Sequence, residues 1–240
     1  MKNITATAGA LAAGVALSLG AAPGAPAAEA PATRTVLSDE RYTTYWANAR
    51  SHAIVRARPD ARAPRVARLR SFTEDGLPEV YIVLERLVTA GNERWLRIRV
   101  PMRPNGRTGW VPAGALDMAV VHTRLVLNRR HLNMVLYDRG RRVWTSPVGI
   151  GAPGTPTPGG RFWVREKFRA PGGIYGPWAM GTSAYSSLSD WPGGGVIGIH
   201  GTNQPGLIPG RPSRGCIRVP NPAIRRLAGL MPVGTPILIL

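Results

Sequence analysis

The chain has 240 residues, 44% of them hydrophobic and 18% charged, a globular composition with room for one large domain or two small ones. Its 29 glycines and 23 prolines favour short strands and frequent turns over long helices. A formal net charge of +18 points toward polyanions, but the basic residues are scattered and form no compact run. That scatter argues against nucleic acid and leaves an anionic membrane surface, an anionic cell-wall polymer or simply a solvated basic surface.

In chain order, the first segment reads as a targeting sequence. Lys2 gives a minimal positive start, Thr5 to Ala22 is small and apolar, and small-x-small sites follow at Ala25-Pro26-Ala27 and Ala28-Glu29-Ala30. This is the pattern of a secretory signal over residues 1–30, implying export to the periplasm or cell wall, on the outer face of the cytoplasmic membrane. The alternative is an uncleaved anchor, for which an Ala/Gly-rich stretch is weakly hydrophobic. Residues 31–42 are polar and read as a linker.

From Thr43 to Met118, short apolar alternations are broken by turns. Strands are expected at Ala53 to Arg56, Val66 to Leu69, Val80 to Leu84, Trp95 to Val100 and Thr108 to Val111, with a tight hairpin at Asn105-Gly106. Five short strands of this kind imply a small β-barrel over residues 43–118. Trp95-Leu96-Arg97-Ile98, the Pro104-Asn105-Gly106 turn and Gly109-Trp110-Val111 resemble a bacterial SH3-like domain, which implies binding or positioning and no chemistry.

Ala119 to Leu125 reads as a connector into a second β-rich region, residues 122–240. Leu125 to Leu127, Met134 to Tyr137 and Val143-Trp144 are expected strands, with Asp138-Arg139-Gly140 as a hairpin turn. Val148 to Gly151, a Thr155 to Gly160 turn and the strand Arg161 to Val164 follow. One helix is expected over Pro222 to Leu230, with Asn221 as N-cap and Ile224, Leu227 and Leu230 on its apolar face. Thr235 to Leu240 is a closing strand.

The chemistry lies between residues 196 and 221. An apolar strand, Val196 to Ile199, delivers His200 to its end; a Gly/Pro-rich loop follows, and the chain returns with Ser213-Arg214-Gly215-Cys216-Ile217-Arg218. Cys216 is the only cysteine, so no intrachain disulfide can form, and a lone thiol in an exported chain is reactive, intermolecular or simply buried. A free thiol, with a pKa of about 8.5, is only a few per cent thiolate at neutral pH. A nearby imidazole can take its proton, and Arg214 and Arg218 are expected to favour the thiolate by their charge. Gly215 allows close backbone approach and exposes the N–H groups around Cys216, which are expected to hold an oxyanion. His52, His122 and His131 are isolated in sequence, and too few ligands cluster for a zinc site.

Residues 122–240 resemble the catalytic domain of the L,D-transpeptidases (YkuD-type). The resemblance rests on the Gly149-x-Gly151 and Thr157-Pro158-Gly159-Gly160 turns, Ile199-His200-Gly201-Thr202-Asn203 and Ser213-Arg214-Gly215-Cys216-Ile217-Arg218. It implies Cys216 as nucleophile, His200 as base, the Gly201 carbonyl as the group orienting the imidazole, and Ser213, Gly215 and Arg218 as shapers of the pocket. The family's second motif histidine, just before Gly-Cys, is here Arg214.

The expected architecture is therefore all-β: an SH3-like barrel, then a β-sandwich-like catalytic domain with one short helix. The expected reaction joins peptidoglycan stem peptides, donor and acceptor, through a Cys216 thioester with release of terminal D-Ala. No cofactor or metal is required, and carbapenem-type β-lactams are the expected inhibitors. The alternatives are a non-catalytic wall-binding protein, or a hydrolase that trims the same stems as an L,D-carboxypeptidase does.

Overall fold

The computed structural model describes residues 32–188 and 192–240; the expected targeting segment lies outside them. Two β-sheets account for most of this chain. The first contains β1 (Thr33–Val36), β2 (Thr44–Ala49), β3 (Ile54–Arg56), β4 (Arg65–Arg68), β5 (Tyr81–Val88), β6 (Arg94–Arg99), β7 (Thr108–Pro112) and β8 (Leu116–Val121). Pairing runs β4-β3-β7-β6-β5-β2-β8, and β1 joins the second half of β5. The long β5 is central because Tyr81 and Val83 point into one apolar core while Val80 and Ile82 serve another.

Three sequence expectations change here. The stretch expected as linker holds β1, an exposed strand with no apolar alternation, fixed by main-chain pairing from Thr33–Val88 to Val36–Glu85. The expected connector from Ala119 to Leu125 is mostly strand, the end of β8 followed after one residue by β9 (Thr123–Asn128). The β6–β7 connection is also longer than a tight hairpin. It spans residues 100–107, contains a cis Arg103–Pro104 bond and turns at Gly106, whose φ is +89°.

The second sheet adds β10 (Asn133–Asp138), β11 (Arg141–Pro147), β12 (Gly149–Gly151), β13 (Gly160–Arg169), β14 (Trp178–Tyr185), β15 (Val196–His200), β16 (Gly210–Ser213), β17 (Ile217–Arg218) and β18 (Pro236–Ile239). With β9 it forms one ten-stranded path, β11-β10-β9-β18-β13-β14-β15-β17-β12-β16. The expected sandwich is thus a single continuous sheet, with β13 bonded to β18 at one end and β14 at the other. Alternation places Leu125, Leu127, Met134 and Leu136 inside, each completely buried, and each such side chain contributes roughly 1.5–3 kcal/mol. The β10–β11 turn has positive φ at Arg139 and Gly140 (48° and 80°), the twist a two-residue hairpin needs.

The only α-helix among the described residues, α1 (Asn221–Leu230), closes this core with Ile224, Leu227 and Ala228; Leu230, expected on the same face, is 41% exposed. Pro220 occupies the N-cap position, and Asn221, expected there, is the first helical residue with its side chain spent elsewhere. No helix among the described residues is long and apolar enough to cross a membrane.

The two units are fastened to each other. Trp163 of β13 packs with Val80 and Ile82, and its indole N–H donates to the Val80 carbonyl at 2.7 Å. Beside it, the fully buried Arg165 donates from Nε to Glu79 at 2.7 Å and from Nη2 to Glu74 at 2.8 Å. The Arg70 guanidinium caps the same carboxylates from the solvent side. Arg165 holds the Glu74 carboxyl down to about 2 despite partial burial. Next to this cluster Thr73 donates to Glu166, whose carboxyl is raised to about 7 by burial and by neighbouring Asp75.

Candidate active site

The site is built on β15 and the return of the chain through β16 and β17. In β15, Ile197 and Ile199 are buried in the core, so Gly198 and His200 lie on the opposite face. β17 runs parallel beside it, with Ile199 opposite Ile217 and His200 opposite Arg218. Extending that register by one residue places Cys216 beside Gly198. The thiol and imidazole therefore share one face of two adjacent strands.

Gly198 sits between them. A Cβ there would be 3.9 Å from both Cys216 Sγ and His200 Cδ2, so thiol and imidazole flank one side-chain position. The Gly198 N–H donates to Sγ at 3.4 Å. The sequence reading missed this donor because a main-chain N–H has no residue identity.

His200 is 6% exposed. Its Nδ1 lies 2.6 Å from the Gly201 carbonyl, and since a carbonyl only accepts, the proton is on Nδ1 and the Nε2 lone pair is left to receive one. Burial lowers the imidazole pKa, the Gly201 carbonyl works against that, and the Arg218 charge adds to it. Burial likewise pushes the Cys216 thiol up, with the Gly198 N–H and Arg218 opposing. Burial therefore works against both charged forms, while the Arg218 charge favours the thiolate as expected. Arg218 acts on the thiol through its charge, and Arg214 is exposed to solvent.

The other expected residues play narrower parts. Ser213 Oγ donates to the Cys216 carbonyl at 2.6 Å and accepts from the Gly215 N–H at 3.1 Å, so it ties the Cys216 turn internally. The Gly215 N–H is thereby spent and does not serve an oxyanion, contrary to expectation. Gly215 is required nonetheless: its φ is +122°, and a Cβ would meet Ile197 at 2.7 Å. Arg218 donates from Nη1 to Gln204 at 2.9 Å, while its Nε is buried and unpartnered.

Several contributors were not anticipated. Thr157, 1% exposed, donates to the Gly215 carbonyl at 2.7 Å and accepts from the Gly151 N–H at 3.0 Å, bracing the Cys216 turn from behind. The Tyr175 ring meets His200 edge-on at 5.1 Å. Asn221 Oδ1 accepts from the Thr202 N–H at 2.9 Å and lies against Gly201, where a Cβ would come within 2.4 Å of it. That contact explains why the residue after His200 is glycine. Among the described residues no group of three or more His, Cys, Asp or Glu side chains is placed to hold a metal.

Known proteins similar to this chain include the following. The crystal structure of an Enterococcus faecium L,D-transpeptidase mutant aligns over 49% of each chain at 25% identity, with a TM-score of 0.41. A putative L,D-transpeptidase YkuD of Bacillus licheniformis is 38% identical over 109 residues, covering 45% of this chain and 59% of that protein. Its Bacillus subtilis counterpart is 32% identical over 118 residues, covering 49% and 65%. The chain thus spans less than two thirds of these relatives' length. The family model described as YkuD, the L,D-transpeptidase catalytic domain, matches residues 122–239, just under half of the chain, and that segment is similar to these catalytic domains.

Proposed function

We propose that the protein is an exported L,D-transpeptidase that cross-links peptidoglycan stem peptides through a Cys216 thioester. One observation carries the reading: thiol and imidazole lie on one strand face across the empty side-chain position of Gly198, with the Gly198 N–H on the sulfur. Burial disfavours the charged form of both groups, and the first step couples proton transfer to bond formation. As Sγ attacks the carbonyl before the terminal D-Ala of a donor tetrapeptide stem, its proton passes to His200 Nε2. The Gly201 carbonyl, already bonded to Nδ1–H, stabilises the imidazolium that forms. With the Gly215 N–H occupied, the Cys216 N–H is the main-chain donor proposed for the oxyanion. Collapse breaks the C–N bond, and His200 returns the proton to the leaving D-Ala amine. The side-chain amine of an acceptor stem then attacks the thioester, loses its proton to His200 and yields a 3→3 cross-link with free thiol.

Arg218 supports this reading twice. Its charge sits close enough to disfavour a standing imidazolium and to favour the sulfur anion, and its buried, unpartnered Nε–H is available to a substrate oxygen. The N-terminal sheet, read as SH3-like, positions the enzyme on the wall, where the chain's +18 charge favours anionic polymers. Carbapenem-type β-lactams acylate the same thiol in this scheme. The test is incubation with a disaccharide-tetrapeptide, followed by intact-mass and product analysis. An acyl adduct on Cys216 and a cross-linked dimer are expected. A trimmed tripeptide without dimer would assign hydrolysis, and neither adduct nor product would leave a wall-binding module.

A further inference from the structure

The β6–β7 connection of the N-terminal sheet reaches across to the end of β14. There the Asn105 amide imitates a strand partner: Nδ2 donates to the Tyr185 carbonyl at 2.9 Å, and Oδ1 accepts from the Tyr185 N–H at 3.0 Å. Arg103 lies 4.7 Å from the Tyr185 ring centroid and donates from Nη2 to the carbonyls of Ser186 and Leu188, each at 3.1 Å. The Tyr185 hydroxyl donates to Glu74 at 3.1 Å, another N-terminal residue.

What these bonds hold is adjacent to the nucleophile. The Ser186 N–H donates to the Gly195 carbonyl at 2.8 Å, closing the neck from which β15 starts. Gly195 has a φ of +75°, and a Cβ there would come within 2.1 Å of the Leu188 carbonyl and 2.5 Å of Arg103 Nη2, so the neck is shut tightly around the guanidinium. Ile197 Cδ1 packs closely on Gly215, where a Cβ would come within 2.7 Å of it, and Ser186 Oγ stands at ordinary contact distance, 3.8 Å from that position. Two residues beyond the neck's first strand residue is Gly198, whose N–H binds the thiol.

We propose that Arg103 and Asn105 are positioning residues for Cys216, so that the N-terminal unit completes the active site as well as any wall contact it makes. The proposal rests on Cys216 being the reactive thiol. It treats Arg103 as the plug that fixes the 185–188 segment, and through it the spacing of Gly198 and Gly215 on either side of the sulfur. Other interface bonds, such as that of the Trp163 indole to the Val80 carbonyl, come from β13, two strands from β15, and have no such path.

The test measures the second-order rate of Cys216 alkylation by iodoacetamide against pH, on the full chain, together with the melting temperature. Arg103→Met and Asn105→Ala are expected to slow alkylation at pH 7 about tenfold, the scale of one misplaced hydrogen bond to a charged sulfur, and to move the inflection to higher pH. Arg103→Lys, which can still reach one carbonyl, is expected to recover part of the loss. Trp163→Phe is expected to lower the melting temperature without moving the alkylation profile. Wild-type rates in both Arg103→Met and Asn105→Ala would overturn the proposal, as would equal slowing in Trp163→Phe, which would mark a general loss of stability. Should Arg103→Met fail to fold, Asn105→Ala and Arg103→Lys decide by the same comparison. Alkylation needs no peptide substrate, so a wild type that alkylates normally but forms no cross-link would sink the transpeptidase reading and leave this test standing.

Discussion

Replacing Thr157 with Val tests whether the nucleophile turn is braced from behind. The substitution keeps the shape of the side chain and removes one hydroxyl, which satisfies two buried main-chain groups, the Gly215 carbonyl and the Gly151 N–H. Neither has room to find water, since Thr157 is 1% exposed and both glycines are buried. Each orphaned group costs about 1–3 kcal/mol, so a loss of about 2–4 kcal/mol is expected after partial relaxation. In urea, with a slope of about 1–3 kcal/mol/M, the midpoint falls by about 1–2 M. Thr157→Ser is the control, because it keeps the hydroxyl and loses one methyl group, about 0.8 kcal/mol. Freed from Thr157, the 215–216 peptide can rotate and lengthen the Gly198 N–H contact to sulfur, so alkylation of Cys216 slows in the Val variant and not in the Ser variant. The reasoning fails if Val and Ser cost the same and both leave the thiol as reactive as in wild type.

Further measurements probe other parts of the site and its support. His200→Ala should cut turnover about 10²–10⁴-fold, and a rate and pH profile unchanged from wild type would place the base elsewhere. Arg218→Met should move the inflection of Cys216 alkylation to higher pH, because the Arg218 charge, with the Gly198 N–H, opposes the upward push of burial on the thiol; an unmoved or lowered inflection would refute this. Glu79→Gln leaves Arg165 buried with a weakened partner and should cost about 3–5 kcal/mol in thermal or urea unfolding, against under 1 kcal/mol if the interface is incidental. Glu166 is raised from 4.5 to about 7 in the fold, so the native state holds a proton the unfolded chain releases. Its contribution is complete below about 4.5 and is lost as pH rises through about 7; Glu166→Gln should flatten that decline in urea midpoints, and an unchanged slope would refute it.

The parts of this protein legible in its sequence are those set by local rules. Alternation in Leu125 to Leu127 and Met134 to Tyr137, the Arg139-Gly140 turn and the 3.6-residue period after Pro222 each need only neighbouring residues, and strand and helix formed there. β14 was not anticipated because Gly181, Thr182 and Ser183 carry no strand signal; they are buried because β14 lies between β13 and β15. The Arg165–Glu79 pair joins residues 86 apart, and nothing local marks either as buried. Arg214 and Arg218 make the distinction plainest. In sequence they stand symmetrically, two residues on either side of Cys216, and their charges invite one common reading. The backbone separates them at Gly215, whose φ of +122° breaks the alternation that a continuous strand would impose. Before that turn Arg214 goes to solvent; after it Arg218 enters β17 opposite His200, where its charge acts on both the imidazole and the thiol. A single glycine conformation therefore sends two cations that look equivalent in sequence to different surroundings, and the same turn spends its N–H on Ser213 and its carbonyl on Thr157, beside the Gly198 N–H contact to the Cys216 sulfur.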